Sequence, residues 1–227
     1  MTIEIYADGA DLESMKALAN DSRIGGFTTN PSLCKKAGVA HYKDFAQQVL
    51  GVIGDKPVSF EVFADDLAGM EKQAKEISSW GPNVYVKIPI INTKGESTAP
   101  LIEKLAGKVK LNITAILTKD QINTAASALY GSPGIISVFA GRIADTGKDP
   151  SLLMRYAVSR TRGGQTKVLW ASTREVLNVM QAEHCGVDII TMSPDLITKL
   201  NGLNADLAQV SLATVRQFYK DAEGYSL

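Results

Sequence analysis

The sequence predicts an α/β fold, a parallel (β/α)8 barrel with one additional C-terminal helix. Three observations predict it. Short runs rich in Val, Ile and aromatic residues alternate with segments of helical period from one end of the chain to the other. No linker-like stretch breaks this alternation across 227 residues, a length that suits one barrel domain over 1–227. Several runs also hold β-branched residues on one parity and polar residues on the other, as a strand does between helices and a barrel axis. An open doubly wound sheet is the competing architecture, but neither GxGxxG after a strand nor GxxxxGK(S/T) is present to favour it.

The elements follow in order. "TIEIYAD" (2–8) sets Ile3, Ile5 and Ala7 against Glu4, Tyr6 and Asp8, and Asp11 suits the N-cap of the helix "DLESMKALAN" (11–20). "IGGFTTN" (24–30) is the second strand, and "HYKDFAQQVLGVI" (41–53) is a helix that Gly54 can end. "VSFEVFA" (58–64) opposes Val58, Phe60 and Val62 to Ser59, Glu61 and Phe63, and leads into "DDLAGMEKQAKEISSW" (65–80). "NVYVKIP" (83–89) opposes Val84, Val86 and Ile88 to Tyr85 and Lys87. "VKLNITAI" (109–116) opposes Leu111 and Ile113 to Asn112 and Thr114, before the helix "KDQINTAASALY" (119–130). "GIISVFAG" (134–141) opposes Ile136 and Val138 to Ser137 and Phe139, before "DPSLLMRYAVSR" (149–160). "KVLWAS" (167–172) and "VDIITM" (187–192) complete the eight strands. Between them lies "TREVLNVMQAEH" (173–184), with Ser172 suited to its N-cap and Gly186 to its end. The stretch 204–227 forms the C-terminal helix and tail, and Leu207, Val210, Leu212, Val215 and Phe218 give it an apolar side. Such a side has to cover its own barrel or a neighbouring subunit.

Composition excludes several function classes. Lys+Arg and Asp+Glu are equal at 24 each, and no basic block with interleaved aromatics is present, so no nucleic-acid partner is expected. The first twenty residues carry acids early and lack an apolar core, which fits neither a signal peptide nor a membrane span; no membrane partner is expected. Cys34 and Cys185 lie far apart without a CxxC or Cys/His cluster, as free thiols in a reducing cytoplasm do. His41 and His184 are the only histidines, which argues against a histidine metal site or a Ser-His-Asp triad.

One stretch asks for a chemical reading. In "PNVYVKIPI" (82–90) an ammonium group stands near the end of an apolar strand. Alone, Lys87 would read as a surface cation whose stem snorkels over apolar neighbours. Parity changes that reading. Asp8, Glu61, Lys87, Asn112, Thr114 and Ser137 all fall on the axis-facing parity, in the middle or C-terminal part of their strands, where barrel active sites are built. A lysine ringed by carboxylates, amides and hydroxyls is a candidate nucleophile; the alternative is a polar plug whose hydrogen bonds are satisfied internally.

"GGFTTNPSL" (25–33), "NVYVKIP" (83–89), "LNITAI" (111–116), "SVFAGRIAD" (137–145) and "WASTRE" (170–175) together resemble, in the same order, the transaldolases. More closely they resemble the short single-barrel branch that includes the fructose-6-phosphate aldolases. The resemblance implies a TIM barrel working through a Schiff-base lysine, with no metal and no cofactor. Lys87 becomes the Schiff-base former: an iminium on the substrate ketone draws electrons from the adjacent carbon, so C–C cleavage leaves a stabilised enamine. Attack needs the neutral amine, and an apolar interior disfavours the charged form of any amine. Asp8 matches the general base for the C4 hydroxyl, and Glu61 with Thr114 matches the pair that works through a bound water. Asn30 and Asn112, with Thr28 and Ser137 nearby, match the groups that hold the dihydroxyacetone hydroxyls. Arg142, Ser172 and Arg174 match the phosphate site, Arg174 at the first turn of its helix, where free N–H groups favour an anion.

Within that branch, aldolases carry a glutamine where Glu61 stands and a tyrosine where Phe139 stands, so both positions here have the transaldolase type. Thr173 departs from the aromatic residue many relatives carry. The expected activity is transfer of a dihydroxyacetone unit between sugar-phosphate substrates; fructose-6-phosphate aldolase and a non-catalytic sugar-phosphate-binding barrel are the alternatives. The resemblance also implies a homo-oligomer, a pentamer or decamer, with the C-terminal helix packed on a neighbour.

Overall fold

Eight parallel strands pair in sequence order and close into a barrel in the computed structural model, which describes residues 3–225. Thr2, at the edge of the first expected strand, and Ser226 and Leu227, in the expected tail, lie outside the described residues. The strands are β1 (Glu4–Asp8), β2 (Ile24–Thr28), β3 (Val58–Glu61), β4 (Val84–Pro89), β5 (Leu111–Ile116), β6 (Gly134–Val138), β7 (Thr166–Trp170) and β8 (Ile189–Met192). The helices are α1 (Leu12–Ala19), α2 (Pro31–Lys36), α3 (Tyr42–Ile53), α4 (Leu67–Ser78), α5 (Ala99–Leu105) and α6 (Lys119–Ala128). They continue as α7 (Ala140–Ala144), α8 (Ser151–Thr161), α9 (Leu177–His184), α10 (Pro194–Lys199) and α11 (Leu207–Asp221). No helix among the described residues is long and apolar enough to cross a membrane.

Parity divides the core in two, as a closed barrel requires. Outward-facing residues such as Ile5, Val58, Phe60, Val86, Ile113 and Val138 join the buried faces of the helices in one large cluster. Tyr6, Ile135, Leu169, Ala171 and Ile189 form a separate cluster on the axis, with Tyr85 and Phe139 against it. Leu169, Ala171 and Phe139 of this cluster reach the C-terminal mouth of the barrel.

Several local expectations change. Asp11 does cap α1, accepting from the Ser14 N–H at 2.9 Å. Ser172 caps nothing: it has a left-handed φ of 64°, and α9 starts five residues later at Leu177. The helix expected over 173–184 is therefore shorter, and its first turn excludes Arg174. Phe63 leaves the axis because β3 stops at Glu61; the Phe63 and Ala64 N–H groups then donate to Gln73 Oε1, and the Phe63 ring lies half-exposed 4.5 Å from that of Tyr42. The helix α5, between β4 and β5, leaves no periodic signal in the sequence, because its seven residues, with Pro100 near the start, are too few for one. None of the side chains of α11 is buried, so its apolar side does not cover its own barrel.

Gly26 shows how tightly the axis is filled. A Cβ there would lie 2.6 Å from the Tyr6 ring and 2.9 Å from the Pro57 carbonyl oxygen. The backbone oxygen cannot retreat as a flexible side chain would. Gly26→Ala is expected to destabilise the barrel by ~1–3 kcal/mol, read as a lower midpoint in urea denaturation; an unchanged midpoint would mean that the axis has slack.

Candidate active site

Strand register brings the central groups level. β3 pairs with β4 so that Glu61 lies opposite Lys87, and β4 pairs with β5 so that Lys87 lies opposite Asn112. Asp8 lies opposite Thr28 across the β1–β2 pair. These residues have the same parity, so pairing alone aims them at the axis.

Lys87 is only 5% exposed, which excludes the snorkelling reading. Its Nζ donates to the Thr29 carbonyl at 2.8 Å and lies 3.2 Å from Glu61 Oε2. Glu61 is itself fixed through its backbone, whose N–H donates to the Tyr42 hydroxyl at 2.8 Å. Asp8 accepts from Thr28 Oγ1 at 2.7 Å, and Thr28 Oγ1 lies 2.6 Å from Thr191 Oγ1. Burial pushes the Asp8 carboxyl above its ordinary value of 3.8; Lys87 and the Thr28 hydrogen bond partly oppose this, and Glu61 adds to it. A carboxylate held this way is a stronger base than one in water, as general-base chemistry needs.

Asn112 is fully buried with both ends of its amide engaged: Nδ2 donates to Ser59 Oγ at 3.0 Å, and Oδ1 accepts from Ser137 Oγ at 2.6 Å. Asn30 is the N-cap of α2, where Oδ1 accepts from the Leu33 N–H at 3.0 Å. Among the described residues its amide NH2 has no partner. Thr114 Oγ1 is buried and has no hydrogen-bond partner among the described residues. It lies where the β5–β6 register slips between Ile113 and Ile116, beside Ala115 with a left-handed φ of 59°. That irregularity is a local strain of the kind that clusters at functional sites.

A cavity of about 220 Å³ opens at the C-terminal mouth. Asp8, Thr28, Asn30, Lys87, Thr114, Ser137, Phe139, Arg142, Ser172 and Arg174 all line it; Glu61 and Asn112 stand behind that wall. At the outer end the Arg142 guanidinium stacks 4.9 Å from the Phe139 ring centroid and has no carboxylate partner among the described residues. Gly141 lets α7 approach the loop after β7: a Cβ there would lie 1.6 Å from the Ser172 carbonyl oxygen.

Arg174 differs from expectation twice. It lies in a loop, where its N–H donates to Asn178 Oδ1 at 2.9 Å instead of facing the cavity as a free helix N-terminus. Its guanidinium is bidentate on Asp145, at 2.6 and 3.2 Å. Both side chains are about half exposed, at 50% and 52%, so that pair is worth about 1 kcal/mol or less and can open for a stronger anion.

Four functional positions escaped the sequence reading. Thr29 acts through its backbone carbonyl, which has no sequence signal. Tyr42 lies on a helix and reaches Glu61 only in the folded chain. Ser59 has axis parity in β3, and Thr191 is aligned with axis-facing Ile189 in β8, so parity applied fully would have found both. Among the described residues, no group of three or more His, Cys, Asp or Glu side chains could hold a metal ion. Cys34 and Cys185 are free and buried, and burial raises the Cys34 thiol to about 11.

The closed barrel and the buried lysine at its mouth define a TIM-barrel protein with a candidate amine nucleophile, and comparison with known proteins narrows it. Residues 5–226 match the family model described as Transaldolase/Fructose-6-phosphate aldolase, and the chain belongs to that family. A probable transaldolase from Dehalococcoides mccartyi is 35% identical over 193 residues, 84% of this chain and 86% of that protein. A probable transaldolase from Methanococcus maripaludis is 34% identical over 200 residues, covering 87% and 89%. Among solved structures, KGPDC from Streptococcus mutans superposes with a TM-score of 0.58 at 11% identity, over 85% of this chain and 88% of that one; this likeness concerns the fold alone.

Two outcomes follow. With Asp8 as base, the acid limb of kcat/KM is expected above 3.8, because the residue must be ionised and burial raises the pH at which it ionises. Asp8→Asn is expected to lower kcat by roughly 10²–10⁴-fold and to remove that limb. Gly141→Ala is expected to raise KM for a phosphorylated ketose about tenfold or more, since the added methyl displaces the Ser172 loop; an unchanged KM would separate that loop from phosphate binding.

Proposed function

We propose that this chain is a transaldolase, a class I Schiff-base transferase of aldehyde and ketone groups. It moves a dihydroxyacetone unit from sedoheptulose 7-phosphate to glyceraldehyde 3-phosphate, in the non-oxidative pentose phosphate pathway of the cytoplasm. The observation that carries this reading is the buried Lys87 amine, 3.2 Å from the Glu61 carboxylate in a cavity that Asp8 also lines.

Lys87 Nζ adds to the C2 carbonyl of the ketose, and the carbinolamine loses water to give an iminium, with Glu61 and the Thr114 hydroxyl moving protons through a bound water. Asp8 takes the proton of the C4 hydroxyl; the C3–C4 bond breaks, erythrose 4-phosphate leaves, and its electron pair stays on Lys87 as the enamine. The enamine attacks the aldehyde carbon of glyceraldehyde 3-phosphate, Asp8 returns the proton, and hydrolysis of the new iminium frees fructose 6-phosphate. Asn30, Asn112, Thr28 and Ser137 orient the dihydroxyacetone hydroxyls. Arg142 is the main phosphate ligand in this reading, since it alone of the two arginines has no carboxylate partner among the described residues; Ser172 and Arg174 assist.

Transfer is favoured over free aldol cleavage by Phe139, whose ring offers no hydroxyl to position the water or proton that would release the enamine. Borohydride added with fructose 6-phosphate is expected to give a reduced covalent adduct on Lys87 by mass spectrometry, and Lys87→Met is expected to lose roughly 10⁴-fold or more of the activity. Absence of the adduct would leave the non-catalytic sugar-phosphate-binding reading. Rapid release of dihydroxyacetone from fructose 6-phosphate without an aldehyde acceptor would make the chain an aldolase.

The proposal extends to a homo-oligomer. α11 exposes Leu207, Val215 and Phe218 at 81%, 59% and 67%, an apolar load that an isolated chain leaves in water. Phe218→Glu is expected to lower the sedimentation coefficient to that of a smaller assembly; an unaltered value would place the contact elsewhere.

A further inference from the structure

We infer that Thr191 is a positioning residue for Asp8, acting through Thr28 in a three-member hydrogen-bond chain, β8 to β2 to β1. The inference deepens the proposed function, because it assigns a support to the base of that reading.

Hydrogen counting carries the argument. An ionised Asp8 can only accept, so Thr28 donates its single hydroxyl hydrogen to Oδ1 at 2.7 Å. That hydrogen is then spent. The 2.6 Å contact between Thr28 Oγ1 and Thr191 Oγ1 can be filled only by the hydrogen of Thr191. All three groups line the cavity, and the two threonines are 3% and 5% exposed. Water therefore has little access to replace either bond. Thr191 is fixed from its other side, since its carbonyl accepts from Thr173 Oγ1 at 2.7 Å.

Two effects follow. The chain commits Oδ1 to the wall, so Oδ2 is the oxygen that exchanges a proton with substrate. Donation from Thr191 also polarises Thr28 and strengthens its bond to the carboxylate, which favours the ionised form. The other charged groups facing Asp8 are Lys87 from β4 and Glu61 from β3. Asp11, Lys36 and Asp195 line an adjoining outer cavity that Asp8 also borders, and Arg142 and Arg174 lie in the shared catalytic cavity. None of these is altered by changes at position 191.

The test is a ¹³C NMR titration of the Asp8 carboxyl in the substrate-free protein, assigned with Asp8→Asn, alongside the pH profile of kcat/KM, which reports the free enzyme. Thr191→Val keeps the shape and removes the hydroxyl. The Asp8 midpoint is expected to rise by about half a pH unit, and the acid limb of kcat/KM to move with it while KM at the pH optimum stays within about twofold. Thr191→Ser is expected to restore both, and Thr28→Val to shift the midpoint further in the same direction. A valine variant with an unmoved midpoint, or a serine variant shifted as far as the valine one, overturns the inference. If the valine variant fails to fold, Thr191→Ala removes the same hydroxyl and is read the same way. Because the midpoint is measured without substrate, it is independent of the borohydride adduct: a missing adduct sinks the transferase reading, and a fixed midpoint sinks the relay.

Discussion

The structure depends on placing one amine inside a barrel without leaving its charge unmatched. An ammonium taken out of water costs several kcal/mol unless partners replace its hydration, and an aliphatic strand offers none. β4 supplies only the carbon side of this arrangement, with Val84, Val86 and Ile88 buried against the helices. The partners come from other strands, Glu61 from β3 and the Thr29 carbonyl just beyond β2. They coincide only because the parallel register aligns Glu61 with Lys87. A one-residue slip would turn Lys87 into the outer hydrophobic layer and bring a valine or isoleucine to the mouth. Closure of the barrel and survival of the lysine are therefore the same constraint.

The mouth is completed by backbone devices more than by side-chain bulk. Ala115 and Ser172 are non-glycine residues with φ near +60°, and both stand at the C-terminal ends of strands beside site residues. Such conformations cost of order 1 kcal/mol or more and persist where the surroundings over-determine them. At Ala115 the irregular register leaves the Thr114 hydroxyl without a partner among the described residues. At Ser172 the loop is pressed against Gly141, close enough that no side chain fits between. Each device spends stability beside a residue that lines the cavity.

This division also explains what could be read from the chain. Asp8, Glu61, Lys87, Asn112, Thr114 and Ser137 were legible because a strand has a period of two, so one residue of known direction fixes the rest. The family motifs gave Arg142 and Ser172, which lie beyond the strands where parity has no force. Legibility ended where contacts depend on backbone atoms or on distant loops. The acceptor of Lys87 is a carbonyl, which every residue has. The pairing of Arg174 with Asp145 joins loops 29 positions apart and competes with any anion for the same guanidinium. The late start of α9 was hidden because 173–176 continue a helical composition while Ser172 turns the chain away.

Charge is sorted along the cavity, and the sorting bears on what would stay bound between the half-reactions of the proposed transfer. Asp8, Glu61 and Lys87 gather at the inner end, where burial makes each proton position consequential. Arg142 stands at the outer end, stacked on Phe139, and that ring lines the same cavity as Lys87. In the proposed reaction a leaving aldehyde phosphate and an arriving one would exchange over Arg142, outside the inner hydrogen bonds. The Phe139 ring is apolar and brings no proton donor of its own. An enamine on Lys87 would thus face a hydrocarbon surface and a buried base while the outer site is refilled. In the proposed reaction that arrangement would favour carbon–carbon bond formation with the next aldehyde over protonation and release, which is the physical distinction between a transferase and an aldolase.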